Sequence, residues 1–193
     1  MATSETSICN LANGIIGIGR ISDINGTTSV ERDCKAIFAH ARREVLGSYQ
    51  WSFARKQALL ARASASPIID SNNGGYDYAY VLPSDCVAPV KLSDPKTEYS
   101  LVGDTIHCNL EEDVYLHYTA DITDAAKFTE KFINALAHRL AAQLALMVKK
   151  DKKLSQETWD LFHALLPRLE QDDAQNDNNP IELSNPYVDA RSV

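Results

Sequence analysis

No two cysteines stand in a Cys-x-x-Cys arrangement, no hydrophobic run is long and uncharged enough to cross a bilayer, and positive charge is in deficit. Each absence narrows the classes of function. Cys9, Cys34, Cys86 and Cys108 are scattered singly, so they read as reduced, buried thiols and not as a zinc ligand set or a disulfide framework. The most apolar stretch, Ile133 to Val148, is interrupted by His138, Arg139 and Gln143, whereas a span needs about 20 largely uncharged residues. It belongs in a protein core, and no membrane contact is expected. Nineteen Lys and Arg against 26 Asp and Glu leave a formal charge of −7, the reverse of the balance found in chains that grip nucleic acid through phosphates. The single dense basic run, Lys149, Lys150, Lys152 and Lys153 around Asp151, is expected at a helix end, where cations complement the dipole, in preference to the alternative reading as a phosphate site. Met1 to Ile8 is polar, without a basic region leading into an apolar core, so no secretion signal is expected. Assembly in a reducing cytosol follows from the same features.

What is present suits one globular domain. A chain of 193 residues with 45% hydrophobic and 23% charged side chains can bury about 70% of its unfolded surface, so it needs no staple to fold. Ile8, Leu11, Ala12, Ile15 and Ile16 share one face of a first helix over 5–16, stopped by Gly17 and Gly19. Thr28 and Glu31 form a T-x-x-E capping box. It opens a second helix running to Gln50 along an apolar stripe of Val30, Cys34, Ile37, Phe38, Ala41, Val45, Leu46 and Tyr49. From Trp51 the period shortens towards two. Strands are expected over 76–82, 87–92, 99–102, 105–108 and 114–120, with Gly103-Asp104 as a tight turn. A third helix is expected from about Thr123 to Lys150, and a fourth from Ser155 to about Gln171. That fourth helix buries Trp159, Phe162, Leu165, Leu166 and Leu169, with Pro167 kinking or ending it.

The last stretch changes character. Glu170 to Pro180 holds too few apolar side chains to offset the entropy of ordering, and Ile181, Leu183, Pro186, Tyr187 and Val188 then restore apolar surface in an extended context. The fold class is therefore α+β, mainly helical: an antiparallel helix bundle with an inserted small antiparallel β-module and an extended C-terminal tail. Its parts are N-terminal helices over 1–50, the β-module over 51–122, C-terminal helices over 123–172 and the tail over 173–193.

Chemistry is harder to find. Gly14, Gly17 and Gly19 give G-x-x-G-x-G, but a dinucleotide loop needs a strand before the glycines and a helix after them, whereas here a helix ends there. Of His40, His107, His117, His138 and His163, only His107 and His117 fall on strands expected to be neighbours. Their spacing fits no zinc signature, and Glu111 to Asp113 between them reads as an exposed hairpin turn. G-x-S-x-G, a P-loop and H-E-x-x-H are all absent. No catalytic, metal or cofactor site is expected.

Three segments resemble, in order along the chain, the head-to-tail adaptor family of podoviruses often called tail tubular protein A. The first is the helix–glycine–turn–long helix unit closing on Trp51-Ser52-Phe53-Ala54. The second is Tyr80-Val81-Leu82-Pro83-Ser84-Asp85-Cys86, similar to a Y-x-L-P-x-D-C strand end. The third is Phe132 to Ala142, similar to F-x-x-A-L-A-x-R-L-A. The terminal Pro-Tyr-Val-Asp-Ala-Arg also resembles the family's, although many relatives carry tryptophan where Tyr187 stands. The resemblance implies a virion neck protein, assembled in the host bacterial cytoplasm as a ring of about twelve copies held by head-to-tail contacts. The partners it implies are a portal protein, a tail nozzle protein and further copies of the chain. DNA would pass through an acidic lumen without specific binding. Ile181, Leu183, Pro186, Tyr187 and Val188 would then clasp the portal. Trp51 and Phe53 are expected to pack a helix–sheet junction, Leu82 and Cys86 to belong to the same structural motif, and Pro83 and Asp85 to make a turn in which the Asp side chain bonds nearby amides. Arg139 is expected as a subunit-interface ion pair or as a solvated residue. Competing expectations are a tail-associated cell-wall-degrading enzyme, which needs two carboxylates in a cleft with one pKa raised, and a monomeric binding module.

Overall fold

A computed structural model describes residues 3–64 and 75–176, with side chains described as far as residue 168. It has an α+β architecture of four helices and two small antiparallel sheets. The first helix, α1, spans Glu5–Ile15 and opens on a reciprocal cap. Ser7 N–H donates to Ser4 Oγ at 3.2 Å, and Ser4 N–H donates to Ser7 Oγ at 3.0 Å. Gly17, at φ 68°, ends it as expected. Ile18 N–H reaches Asn13 O at 2.8 Å and Gly17 N–H reaches Gly14 O at 3.3 Å, the paired bonds of a Schellman stop. The buried face is narrower than the sequence pattern implies. Ile8, Cys9, Ala12 and Ile16 are buried, but Leu11 is 52% and Ile15 37% exposed, because among the helices α1 packs chiefly against one neighbour.

The linker folds back along α1. Asn10 satisfies both backbone groups of Ile21, donating to its carbonyl at 3.0 Å and accepting its N–H at 2.8 Å. The second helix, α2, spans Ser29–Ser48 and starts on the expected box. Glu31 N–H donates to Thr28 Oγ1 at 3.3 Å, and Thr28 N–H donates to the Glu31 carboxylate at 2.9 Å. Bonds from Thr28 foremost hold the Glu31 carboxyl below its ordinary pKa. A methyl group on Gly26 would collide with that carboxylate, so a side chain at this position would have to push the Glu31 carboxylate out of the cap. The helix stops two residues short of Gln50, with Tyr49 extended and the Trp51 indole N–H donating to Val45 O at 2.7 Å.

The third helix, α3, spans Glu130–Met147, and its start corrects the expected Thr123. Asp124 caps a single 3₁₀ turn over 125–127, Phe128 is extended, and Thr129 caps α3 through Phe132 N–H at 3.4 Å. Two competing capping residues divide what apolar spacing alone reads as one helix. The fourth helix, α4, spans Lys152–Asn176 and folds back antiparallel on α3. Pro167 neither ends it nor bounds it. His163 and Pro167 both lie on the exposed side, where the carbonyl that proline leaves without a donor is open to solvent. Residues 173–176, expected in an extended tail, are helical instead. Ala174 and Gln175 extend an existing helix at small cost, and Asp173 and Asn176 add only a few tenths of a kcal/mol each, about the cost of an ordinary polar residue. α3 is the hub, packing against α1, α2 and α4. No helix among the described residues is long and apolar enough to cross a membrane.

Six strands lie between α2 and α3: β1 Arg55–Leu59, β2 Tyr78–Val81, β3 Cys86–Leu92, β4 Tyr99–Val102, β5 Thr105–Cys108 and β6 Tyr115–Ala120. They form two antiparallel sheets ordered β1-β6-β3 and β2-β5-β4. Residues 52–54 make a 3₁₀ turn before β1, not the start of a strand. Gly103, at φ 62°, turns the β4–β5 hairpin as expected. Pro89, which has no N–H to give, lies in edge strand β3 beside a register shift. The two sheets are linked where the chain leaves β1, with Ala63 N–H donating to Ala79 O and Val81 N–H to Ala61 O, both at 2.8 Å. Ala79 is buried, so β2 is covered on both faces where the alternation reads as half-buried. Leu60, Tyr80, Leu92, Ile106, Leu116 and Tyr118 form a core separate from the helical one, and Ile122 packs against both.

Thr28→Ala removes one half of the α2 cap and should lower stability by about 1 kcal/mol in urea denaturation. Thr28→Ser should retain most of it.

Candidate functional site

Of the three segments that carry the family resemblance, the first and third meet at the start of α3, and the second is linked to α2 through Asp121. Trp51 stacks edge-on to Phe132 with ring centres 5.1 Å apart, and Phe53 meets Phe132 at the same separation. Phe128 closes the group at 4.7 Å from Phe132. Trp51 and Phe53 therefore sit between the end of α2 and the start of α3, just ahead of β1, with their ring contacts on the helical side. Geometry of this kind adds about 0.5–1.5 kcal/mol per aromatic pair beyond area burial.

A chain of ionic groups links α2 to the strands. Arg42 of α2 donates to Asp121 Oδ1 through Nη2 at 2.9 Å and Nε at 3.2 Å, and Arg43 approaches Asp121 Oδ2 at 3.7 Å. The Arg42 side chain is only 8% exposed, so this carboxylate is what makes its burial tolerable. Asp121 N–H donates to Asp85 O at 2.7 Å, which carries the connection into the strand end before β3. The Asp85 carboxylate accepts Lys56 Nζ at 2.6 Å and the Tyr118 hydroxyl at 2.9 Å. Asp85 was expected to bond neighbouring amides in a turn. Its main partners lie instead on β1 and β6, because the β3–β6 pairing brings them alongside. Pro83 does make the turn, accepting Cys86 N–H at 2.9 Å, and Leu82 N–H donates to Asp104 O at 2.9 Å.

The electrostatics suit holding and not reacting. Lys56 foremost, with Tyr118 assisting against a desolvation penalty, holds the Asp85 carboxyl below its ordinary pKa. Burial first, then the bond to Asp85, pushes the Tyr118 hydroxyl up to about 12. Burial and the Asp85 charge push the Cys86 thiol up to about 11, so it stays protonated near neutrality and is a weak nucleophile. Glu31 and Asp85, the carboxyls with resolved shifts, both move down, away from the raised acid that glycoside hydrolysis uses.

Arg139 lies elsewhere and is not solvated. Its side chain is 7% exposed, donates to Glu44 Oε2 at 2.6 Å, and stacks on the Trp159 ring with its guanidinium carbon 4.6 Å from the ring centre. The ion pair expected across a subunit interface is made within the chain, between α2 and α3 and under α4. His107 and His117, expected on neighbouring strands, belong to different sheets. The segment holding Glu111 to Asp113 is the crossover between those sheets, not a hairpin. Tyr80 pins it by donating to Leu110 O at 2.7 Å and Glu111 O at 2.8 Å. Among the described residues no group of three or more His, Cys, Asp and Glu is placed to hold a metal ion. Ile181, Leu183, Pro186, Tyr187 and Val188 lie outside the described residues.

Sequence reasoning missed Arg42 and Asp121. A signal existed, since Arg42 falls among Phe38, Ala41, Val45 and Leu46 on the apolar stripe of α2, where a lone cation demands a partner. No protein-family model and no curated protein matches this chain.

Asp121→Ala should destabilise the fold by about 3 kcal/mol in urea denaturation, because Arg42 is left buried without its counter-charge. Arg42→Met together with Asp121→Leu should recover most of that loss. Asp85 titrates lower in the fold than in the unfolded chain, so its stabilising contribution is present above its ordinary value of 3.8 and is lost as pH falls through the lower one. Asp85→Asn should therefore flatten the acid limb of a stability–pH curve, and an unchanged limb would refute this assignment.

Proposed function

We propose that this chain is a structural head-to-tail adaptor subunit from the neck of a short-tailed bacteriophage. Copies would form a ring that joins portal to tail nozzle and lets DNA through. In this reading the helices act as an antiparallel bundle, the strands as an inserted module, and the segment after α4 as an extended tail that clasps the portal.

One observation carries the proposal. The first and third of the segments resembling the adaptor family meet through Trp51, Phe53 and Phe132, and the second is tied to α2 of the first through the bonds that run from Asp85 to Asp121 to Arg42. Motifs whose residues build a rigid joint suit a protein that positions other proteins. Near the junction stand one protonated thiol, that of Cys86, and paired charges, with no activated nucleophile among them. Exposed apolar side chains add support. Leu59 and Tyr115 face each other across β1 and β6, and Leu11, Ile15 and Leu161 stand on the helices. A ring subunit meets its neighbours through two different faces, so apolar surface on both halves of the chain is what that assembly uses. No metal, cofactor or catalytic group belongs to this reading.

The test is reconstitution with portal protein. Full-length chain should assemble on the portal as a multi-copy ring visible in electron micrographs. A chain ending at Asn176, which keeps all of α4 but lacks Ile181 to Val188, should remain folded by circular dichroism and lose attachment at least tenfold. Undiminished attachment of the shortened chain would remove the tail assignment, and a full-length chain that forms no ring on portal would overturn the adaptor reading itself.

A further inference from the structure

The lysines expected to complement one helix end divide between two. Lys149 and Lys150 follow the C-terminus of α3, where cations are favoured, and the Lys149 ammonium donates to Ile16 O at 2.8 Å, closing the end of α1. Lys152 and Lys153 open α4, at the positive end of its dipole, where cations raise the energy of the fold. Lys150 adds a second unfavourable feature, since at φ 56° it occupies the left-handed region that glycine or asparagine tolerates best. Fold stability therefore accounts for Lys149 but not for the other three.

We propose that this turn is a contact surface for the phosphate backbone of nucleic acid, made by the ammonium groups of Lys150, Lys152 and Lys153. All three residues are exposed. Among the described residues no carboxylate lies within ion-pair reach of Lys150 or Lys152. Lys153 meets only Glu157, at 3.7 Å with the lysine side chain 88% exposed, a pair that solvent screens and that a phosphate can replace. The backbone amides of α4 play no part. Leu154 N–H already donates to Asp151 Oδ1 at 3.0 Å and Ser155 N–H to Asp151 O at 3.1 Å.

The chemistry of the patch selects the partner. Protein interfaces are depleted in lysine and favour arginine, whose planar fork fits a carboxylate. Lysine is a hydrated point charge, suited to phosphates spaced along a backbone without demanding one geometry. Against a net charge of −7 the contact is local, independent of base sequence and sensitive to salt. This inference does not depend on the adaptor reading, and portal attachment is measured separately from it.

Fluorescence anisotropy of the full chain with a labelled mixed-sequence DNA duplex, across a range of NaCl concentrations, tests it. Binding should be weak and fall with salt, with a log–log slope of about −2.7 if the lysines neutralise three phosphates. K150E/K152E/K153E should bind at least tenfold more weakly while its Tm stays level or rises, because it removes cations from the positive end of a helix. K150Q/K152Q/K153Q should show the same loss with less effect on Tm, and K35E, on the exposed side of α2, should bind as wild type. Undiminished binding by either triple variant, a slope near zero, or binding to phosphatidylglycerol vesicles without binding to DNA would overturn the proposal.

Discussion

The pair between Arg42 and Asp121 is the contact on which the arrangement of this protein depends. It ties the buried face of α2 to the residue that follows β6, and thus the helical half to the β half. A guanidinium in a low-dielectric site must keep a counter-charge, so any movement of the sheet away from α2 is opposed by the cost of exposing an unpaired cation to apolar surroundings. The backbone bond from Asp121 to Asp85 and the side-chain bonds from Asp85 to Lys56 and Tyr118 extend this restraint across β3, β1 and β6. The aromatic group around Phe132 joins the end of α2 to the start of α3 with directional ring contacts. Among the described residues the two cores share Ile122 at their margin, and polar bonds between α2 and the strands align them alongside the packing of Val87 on the helical side.

The same division of labour appears within the helical half. α3 is buried on most sides by α1, α2 and α4, and its alanines at 137, 141, 142 and 145 let neighbouring backbones come close. Uniform small apolar surfaces pack well but specify register poorly. Arg139 supplies the missing specification, since Glu44 on one side and Trp159 on the other admit one relative placement of α2, α3 and α4. Ser155, donating to Ala142 O at 2.7 Å, sets the α4 register again one turn away. Polar groups choose the geometry that the hydrophobic effect then makes stable.

This economy bears on function. The polar groups with resolved pKa shifts at the junction are shifted by the partners and burial that hold the fold together, and the thiol there is protonated. What remains for interaction is the outside: apolar side chains on both halves and a basic turn at one end of an acidic chain. In the adaptor proposal such a chain would work by where it holds its surfaces relative to one another. The adaptor reading and the nucleic-acid contact both draw on that property, through different surfaces.

Features set by neighbours in the chain were legible from the amino acids alone. The Thr28–Glu31 box, the stop at Gly17, the turn at Gly103 and the identity of each β-strand after the first arise from backbone and side chains within a few residues, so the sequence determines them. The 3₁₀ turn before α3 was masked because Asp124 and Thr129 compete as caps within one apolar pattern, and the run of α4 through Pro167 depends on which side of the helix faces solvent. Tertiary structure decided the rest. It separated His107 from His117 by assigning their strands to different sheets, turned Arg139 inward onto Glu44 and Trp159, and brought Asp121 to Arg42 across 79 positions of sequence. Such pairings are settled by which surfaces bury together over the whole chain, and local propensity carries no record of that choice.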